Sequence, residues 1–134
     1  MQSTKNTRLA GWIVSGLVAI FLIGPSAAGK FVEWEGKAQM IEKMGFSIDL
    51  IKKIGVVEIA VAILYFIPRT SFIGAILVTG YLGGAVVTHL RIGEPWVFPI
   101  IVGVVAWVGY ALRRPDVVGR ALRCESACHD ESLQ

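Results

Sequence analysis

The sequence predicts an all-α integral membrane protein, a bundle of four transmembrane helices with a short interfacial helix between the first and the second. The first observation is composition: 54% of the 134 residues are hydrophobic and 17% are charged, which is more apolar and less charged than an ordinary soluble domain. The second is the grouping of apolar residues into four blocks, each near the length of about 20 residues that crosses a bilayer. The third is that charged residues collect between these blocks.

The first transmembrane helix is predicted from about Thr7 to Gly24, because Pro25 cannot donate a hydrogen bond to the preceding turn and therefore bends or ends the helix. A signal peptide would show the same basic start, and "PSAAG" would offer small residues for its cleavage. Three further apolar blocks follow, which favours an uncleaved helix.

A charged connector leads to the second helix and contains the predicted interfacial helix. At helical spacing on one face of this connector lie Trp34, Ala38, Ile41 and Met44. Gly45 is placed to end the short helix in a left-handed conformation, and Ser47 is placed to cap the next one. The second transmembrane helix is therefore predicted over 48–67, a length of about 30 Å.

The link at 68–70 is so short that the third helix, 71–90, must return antiparallel beside the second. The fourth helix follows Pro95 and ends near Arg113, and Pro99 inside it predicts a kink. Residues 1–115 then form a single transmembrane domain, and residues 116–134 form a polar, flexible cytoplasmic tail.

Charge gives a weak signal for orientation and argues against nucleic acid as a partner. Seven basic residues fall on the side of the termini and six on the other, and Arg8, Arg113 and Arg114 adjoin helix ends, so both termini are placed in the cytoplasm. The net charge of +3 is spread over connectors and tails without a basic patch, which excludes an obvious nucleic-acid surface.

Gly80 and Gly84 form a pair of small residues four positions apart in the third helix. Small residues let helix backbones approach closely where lipid supplies no hydrophobic drive between helices, so the pair predicts helix packing. The alternative is that the two glycines form a groove for a ligand.

Glu58 lies inside the apolar run "IGVVEIAVAILYFIP" and is the first candidate functional residue. An ionisable residue inside a membrane is costly, so it is either a functional group that handles a proton or a structural group that fixes helix register. At equal depth on the third helix, Tyr81 is its candidate hydrogen-bond partner. A shallower placement would bring His89 within reach.

Polar and aromatic residues near the outer helix ends are candidates for the mouth of a pocket: Glu33, Trp34, Arg91 and Trp96. The alternative is that these side chains simply lie among lipid headgroups. No metal site is predicted, because the two histidines are far apart and Cys124 and Cys128 lie in the tail.

The residues "KMGFSIDLIKKIGVVEIAVAILYFIPRTSFIGAILVTGYLGGAVVTHLRIGEP" resemble the DoxX-like family of small bacterial four-helix membrane proteins. Its superfamily includes the DoxD subunit of thiosulfate:quinone oxidoreductase. The resemblance extends to about Pro115 and implies a four-helix bundle with both termini cytoplasmic. It matches Glu58 to an acidic residue of the family's second helix, and Tyr81 and His89 to polar positions of its third.

These observations together predict a multi-pass protein of the bacterial inner membrane, an accessory subunit of a membrane redox system. Its polar pocket would bind a lipophilic ligand such as a quinone, and its partners would be the lipid bilayer, a redox subunit and other copies of itself. The sequence carries no self-contained catalytic motif and no intrinsic cofactor site. A small proton-coupled transporter and a purely structural membrane subunit are the alternatives.

Overall fold

The first long helix extends further than the sequence predicts. A computed structural model of the protein describes residues 2–120 and contains no strand among them. Helix α1 (Gln2–Phe21) continues directly into a π-helical segment (Leu22–Ala28) and the short helix α2 (Gly29–Phe31). Pro25, which is predicted to bend or end the first helix, does not end it. The wider turns of a π-helix displace the carbonyl that a proline ring would meet in an α-helix, so the chain passes Pro25 without a break.

The next two helices begin and end close to the predicted residues. Helix α3 (Lys37–Met44) ends at Gly45, whose φ of 73° is the predicted left-handed conformation. Helix α4 (Ile48–Phe66) begins after Ser47, whose side-chain oxygen accepts a hydrogen bond of 3.2 Å from the Leu50 N–H. Both predicted caps are confirmed.

The last two long helices are α5 and α6. Helix α5 (Ser71–Ile92) ends at Gly93, where φ is 72°, and helix α6 spans Val97–Arg113. Pro99 lies in the first turn of α6, where backbone N–H groups have no partner within the helix, so the predicted kink is not required.

The polar tail is described only in part. Residues 115–120 are helical, and the predicted flexibility of the tail stays a prediction. Residues 121–134, with Cys124 and Cys128, lie outside the described part of the chain.

The long helices pack in a fixed order. α1 lies mainly against α6, and α5 lies between α4 and α6. The π-helical segment closes the arrangement by packing against α4. Inward-facing apolar side chains form the core at these contacts: Val18, Leu22, Val61, Ala62, Val78, Leu82 and Ala106.

The outward faces of the long helices are apolar, as the surface of a protein in lipid is. Leu17, Val56, Ile73 and Val104, one on each long helix, are among many large exposed hydrophobic side chains. Contiguous exposed apolar surface of this extent is rare on a soluble monomer. Two helical spans, Lys5–Phe31 and Ser71–Ile92, are long and apolar enough to cross a membrane, and α6 is a shorter apolar helix. These features support a membrane protein.

Candidate functional site

A cavity of about 720 Å³ opens between α2, α3 and the neighbouring ends of the long helices. Much of its wall is apolar, from residues of nearly every element: Phe21, Leu22, Met40, Ile41, Met44, Phe46, Ile51, Ile54, Phe98 and Val102. A smaller polar group completes the wall: Ser26, Lys30, Lys37, Glu58, Tyr81, Thr88 and His89. Its volume and its mixture of apolar wall and few polar groups are typical of a small-molecule site.

Glu58 is fully buried and is neutralised by a residue of another helix. The Lys30 ammonium donates to Glu58 Oε2 at 2.7 Å, and the Ser26 hydroxyl donates to Oε1 at 2.5 Å. Lys30 also donates to the Ser26 carbonyl at 3.0 Å. Each carboxylate oxygen thus has a partner, which a buried charge requires.

Local backbone features bring Lys30 to Glu58. The π-helical segment carries Ser26 and leads into α2, which carries Lys30. On α4, Gly55 lies one turn before Glu58, and a Cβ at Gly55 would come within 2.8 Å of the Phe31 ring. The absence of a side chain at Gly55 therefore lets α2 lie against α4 and places the ammonium beside the carboxylate.

The structure brings Tyr81 to Glu58 and places His89 further along the same wall. The Tyr81 side chain interacts with both Glu58 and Ser26 and is half-buried. His89 Nδ1 lies 2.7 Å from the Ala85 carbonyl, one turn earlier on α5. The three predicted residues therefore line one cavity, but Lys30 rather than His89 contacts the carboxylate.

The predicted mouth residues do not all reach the cavity. Trp34 lines it and donates through Nε1 to the Gly29 carbonyl at 3.2 Å. Glu33, Arg91 and Trp96 are exposed and do not line the cavity, so their place at its mouth stays a prediction. Their side chains lie on the surface at helix ends, where charged and indole groups are well solvated.

Lys37 was missed as a cavity residue. Its side chain is 3% exposed, and its ammonium donates to the Val32 carbonyl at 2.9 Å and to Glu33 Oε1 at 3.1 Å. In the sequence, Lys37 does not belong to the apolar face of Trp34, Ala38, Ile41 and Met44, and a lysine at such a position is expected to point toward water.

Gly80 and Gly84 do not pack against another helix within this chain. A Cβ at either would meet no atom within 4 Å, and both glycines line the cavity. The predicted packing role is therefore wrong within the chain, and the alternative of a groove agrees with their position. Close packing instead occurs at Gly74, against the Tyr65 backbone, and at Gly109, where a Cβ would lie 2.7 Å from Ser15 Oγ.

Beyond the cavity, a layer of buried polar residues joins three of the long helices. The Tyr65 hydroxyl donates to the Ala106 carbonyl at 2.7 Å and lies 3.0 Å from Ser15 Oγ. Arg113 follows on the same side, and its guanidinium donates to the Tyr65 and Phe66 carbonyls at the end of α4. Tyr65, Ser15 and Arg113 are buried and none of them lines the cavity, so the cavity ends before this layer.

The arrangement offers hydrogen-bond donors at the base of an apolar chamber. An ammonium has three N–H donors, and Lys30 uses two of them on Ser26 and Glu58. The Tyr81 hydroxyl, which interacts with Glu58, is a further donor at this wall. A ligand with an acceptor oxygen and an apolar body is the chemistry that fits such a wall.

Comparison with known proteins places the chain in a family. The sequence profile of the DoxX-like family matches residues 13–109, which include α2 to α5, the last nine residues of α1 and most of α6. No curated protein matches the chain, and no solved structure matches it. The match spans well over half of the sequence and includes every polar residue of the cavity wall. The chain belongs to the DoxX-like family.

Proposed function

We propose that the protein is a non-catalytic subunit of a membrane redox system, whose cavity binds a lipophilic ligand such as a quinone. The observation that carries the proposal is the buried pair of Lys30 and Glu58 at the wall of an otherwise largely apolar cavity. A quinone matches this wall because its carbonyl oxygens accept hydrogen bonds while its ring and tail are apolar. Lys30 and Tyr81 are the donors, and Glu58 exchanges the proton that accompanies reduction, with the electrons supplied by a partner subunit.

We further propose a four-helix bundle in the bacterial inner membrane, with both termini in the cytoplasm. The four long helices and their apolar outward faces support this architecture. α3 would then be the interfacial helix, lying over the cavity at the outer surface. Arg113 and Arg114, at the end of α6, would lie on the cytoplasmic side, as the excess of basic residues in cytoplasmic loops favours.

The closed layer at Tyr65 favours a binding protein over a transporter. A proton-coupled transporter needs a route to both sides of the membrane, and the Tyr65, Ser15 and Ala106 contacts would have to open to provide one. A purely structural subunit explains the satisfied ion pair but not the cavity beside it. A ligand site accounts for both features.

Infrared difference spectroscopy of the protein in nanodiscs tests the quinone directly. Adding a short-chain quinone should shift the carboxyl or carboxylate bands of Glu58, because a hydrogen-bonded ligand changes the partners of Lys30 and Tyr81. The same bands should be missing from Glu58→Gln, which identifies them. If the carboxyl and carboxylate bands of the wild-type protein do not shift when quinone is added, Glu58 is structural and the proposal is contradicted.

Gly84→Leu should weaken quinone binding about tenfold or more, because the added side chain would fill part of the cavity. Gly83→Leu is the matched control: Gly83 is the adjacent residue, also has no atom within 4 Å of an added Cβ, and lines a separate groove. Binding is measured by titration of labelled quinone into nanodiscs. Equal affinities of the two variants would show that the ligand binds elsewhere.

A further inference from the structure

Lys37 gives the cavity an unbalanced positive charge. Two ammonium groups, Lys30 and Lys37, line the cavity, and among residues 5–120 Glu58 is the carboxylate in its wall. Glu58 is already paired with Lys30. The partner of Lys37 is Glu33, whose side chain is 77% exposed and lies outside the wall.

The two members of this second pair are in different surroundings. Lys37 is removed from water, and Glu33 is surrounded by it. Water screens the charge of Glu33, so its carboxylate only partly offsets the charge of a buried ammonium. The Val32 carbonyl, at the end of α2, supplies a second acceptor but no full charge.

The hydrogen bonds of Lys37 leave one of its donors for a ligand. Of the three N–H groups of the ammonium, one is directed to Val32 and one to Glu33. Lys37 is almost fully buried and lines the same cavity as Met40, Met44 and Trp34, whose side chains are largely apolar. An anion bound there would be partly shielded from water, where a charge-assisted hydrogen bond is strongest.

We propose that the cavity prefers ligands with an anionic headgroup on an apolar chain, and that Lys37 is the residue that selects the charge. The inference rests on the ligand cavity proposed above but not on the quinone, which has no anionic headgroup, and it specifies the class of ligand. The headgroup, a carboxylate or a phosphate, lies at Lys37, and the chain lies along the apolar wall. A bound anion supplies the negative charge that the wall lacks.

A matched pair of fluorescent probes tests the preference on the full chain in nanodiscs of neutral lipid. The probes are 11-(dansylamino)undecanoic acid and its methyl ester, which differ in headgroup charge. The wild-type protein should bind the acid about tenfold more tightly than the ester, the factor that one hydrogen bond to a charged group provides. Equal binding of acid and ester would overturn the inference.

Substitutions at Lys37 then assign the preference to this residue. Lys37→Met should reduce the ratio of the two affinities to about one, and measurable binding of the ester reports that the cavity is still present. Lys37→Arg should keep the preference, since the charge is retained. Lys43→Met, which removes an exposed lysine from the same helix outside the cavity wall, should leave the ratio at its wild-type value. A preference that survives Lys37→Met would contradict the assignment.

Competition distinguishes the two headgroups and separates this inference from the proposed cavity. Dodecanoate or dodecyl phosphate should displace the acid probe, and the stronger competitor identifies the headgroup; equal displacement by dodecanol would overturn the preference. If both probes bind equally and Gly84→Leu weakens both, the cavity stands and the anionic preference falls. If neither probe nor quinone binds, the proposed ligand site itself fails.

Discussion

Lys30→Met should destabilise the folded protein by about 3–5 kcal/mol, the usual cost of breaking a buried ion pair by removing one partner. Glu58 is completely buried, and its ammonium partner lies 2.7 Å away. Methionine has a similar volume and no charge, so the substitution would leave a carboxylate in an apolar wall with the Ser26 and Tyr81 hydroxyls as its remaining neighbours. The free energy of unfolding is measured by titration with a denaturing detergent.

The two partners should respond unequally, because the Lys30 side chain is 20% exposed and the Glu58 side chain is 0% exposed. Glu58→Gln should cost less than Lys30→Met, since the free ammonium can turn toward water. The double variant Lys30→Met/Glu58→Gln should recover part of the stability lost in Lys30→Met, because neither charge is then buried alone.

Lys53→Met is the matched control for this experiment. Lys53 also pairs with a carboxylate at 2.7 Å, that of Asp49, but both side chains are largely exposed. An exposed ion pair within one helix contributes about 0.3–0.5 kcal/mol. A loss in Lys30→Met no larger than the loss in Lys53→Met would show that Glu58 is solvated and that the buried pair does not form.

Gly74→Ala should cost about 3 kcal/mol, at the upper end of the range for overpacking a tight contact. A Cβ at Gly74 would overlap the backbone of Tyr65 and Leu64 on α4, and backbone atoms cannot turn aside as a flexible side chain can. The two helices would have to separate, which also disturbs the Tyr65 hydrogen bond to Ala106. Unfolding in a denaturing detergent measures the loss.

Gly83→Ala, on the same helix, provides the comparison for Gly74→Ala. No atom lies within 4 Å of a Cβ at Gly83, so the methyl group meets open space. Alanine should stabilise the helix there by up to about 1 kcal/mol relative to glycine. If Gly74→Ala were as stable as Gly83→Ala, α4 and α5 would not be in the close contact described here.

Residues whose type is unusual or required at their position could be predicted from the sequence. Glu58 was identifiable because a carboxylate interrupts an apolar run, and Gly45 and Ser47 because helix ends require particular residues. Tyr81 could be predicted as a partner of Glu58 from its equal depth in the membrane, because two antiparallel helices joined by a short link have a nearly fixed register. Each of these predictions followed from a single physical rule.

Ser26 and Lys30, which contact Glu58, were missed because the usual effect of a proline does not hold at Pro25. Proline usually ends a helix, so Ser26 and Lys30 were assigned to a connector at the surface. The tertiary contact with α4 instead keeps the chain helical through this region. The signal available in the sequence was "PSAAGK", small residues leading to a lysine four positions after a serine.

The role of Gly80 and Gly84 could not be settled by spacing. A pair of small residues on a helix face can serve either for close contact with another helix or for leaving a groove open to a ligand. Only the positions of the other helices decide between these two roles, and here tight contacts lie at other glycines, such as Gly74 and Gly109. Lys37 was missed for a related reason, because the burial of its ammonium depends on the turn before α3.

The π-helical segment sets the direction of the Lys30 side chain. A π-helical turn holds about one residue more than an α-helical turn. Each residue of an α-helix is rotated by about 100° from the one before. Loss of one residue between Leu22 and Ala28 would therefore turn Lys30 away from Glu58. The number of residues in this segment, and not only their identity, decides whether the buried acid has a partner.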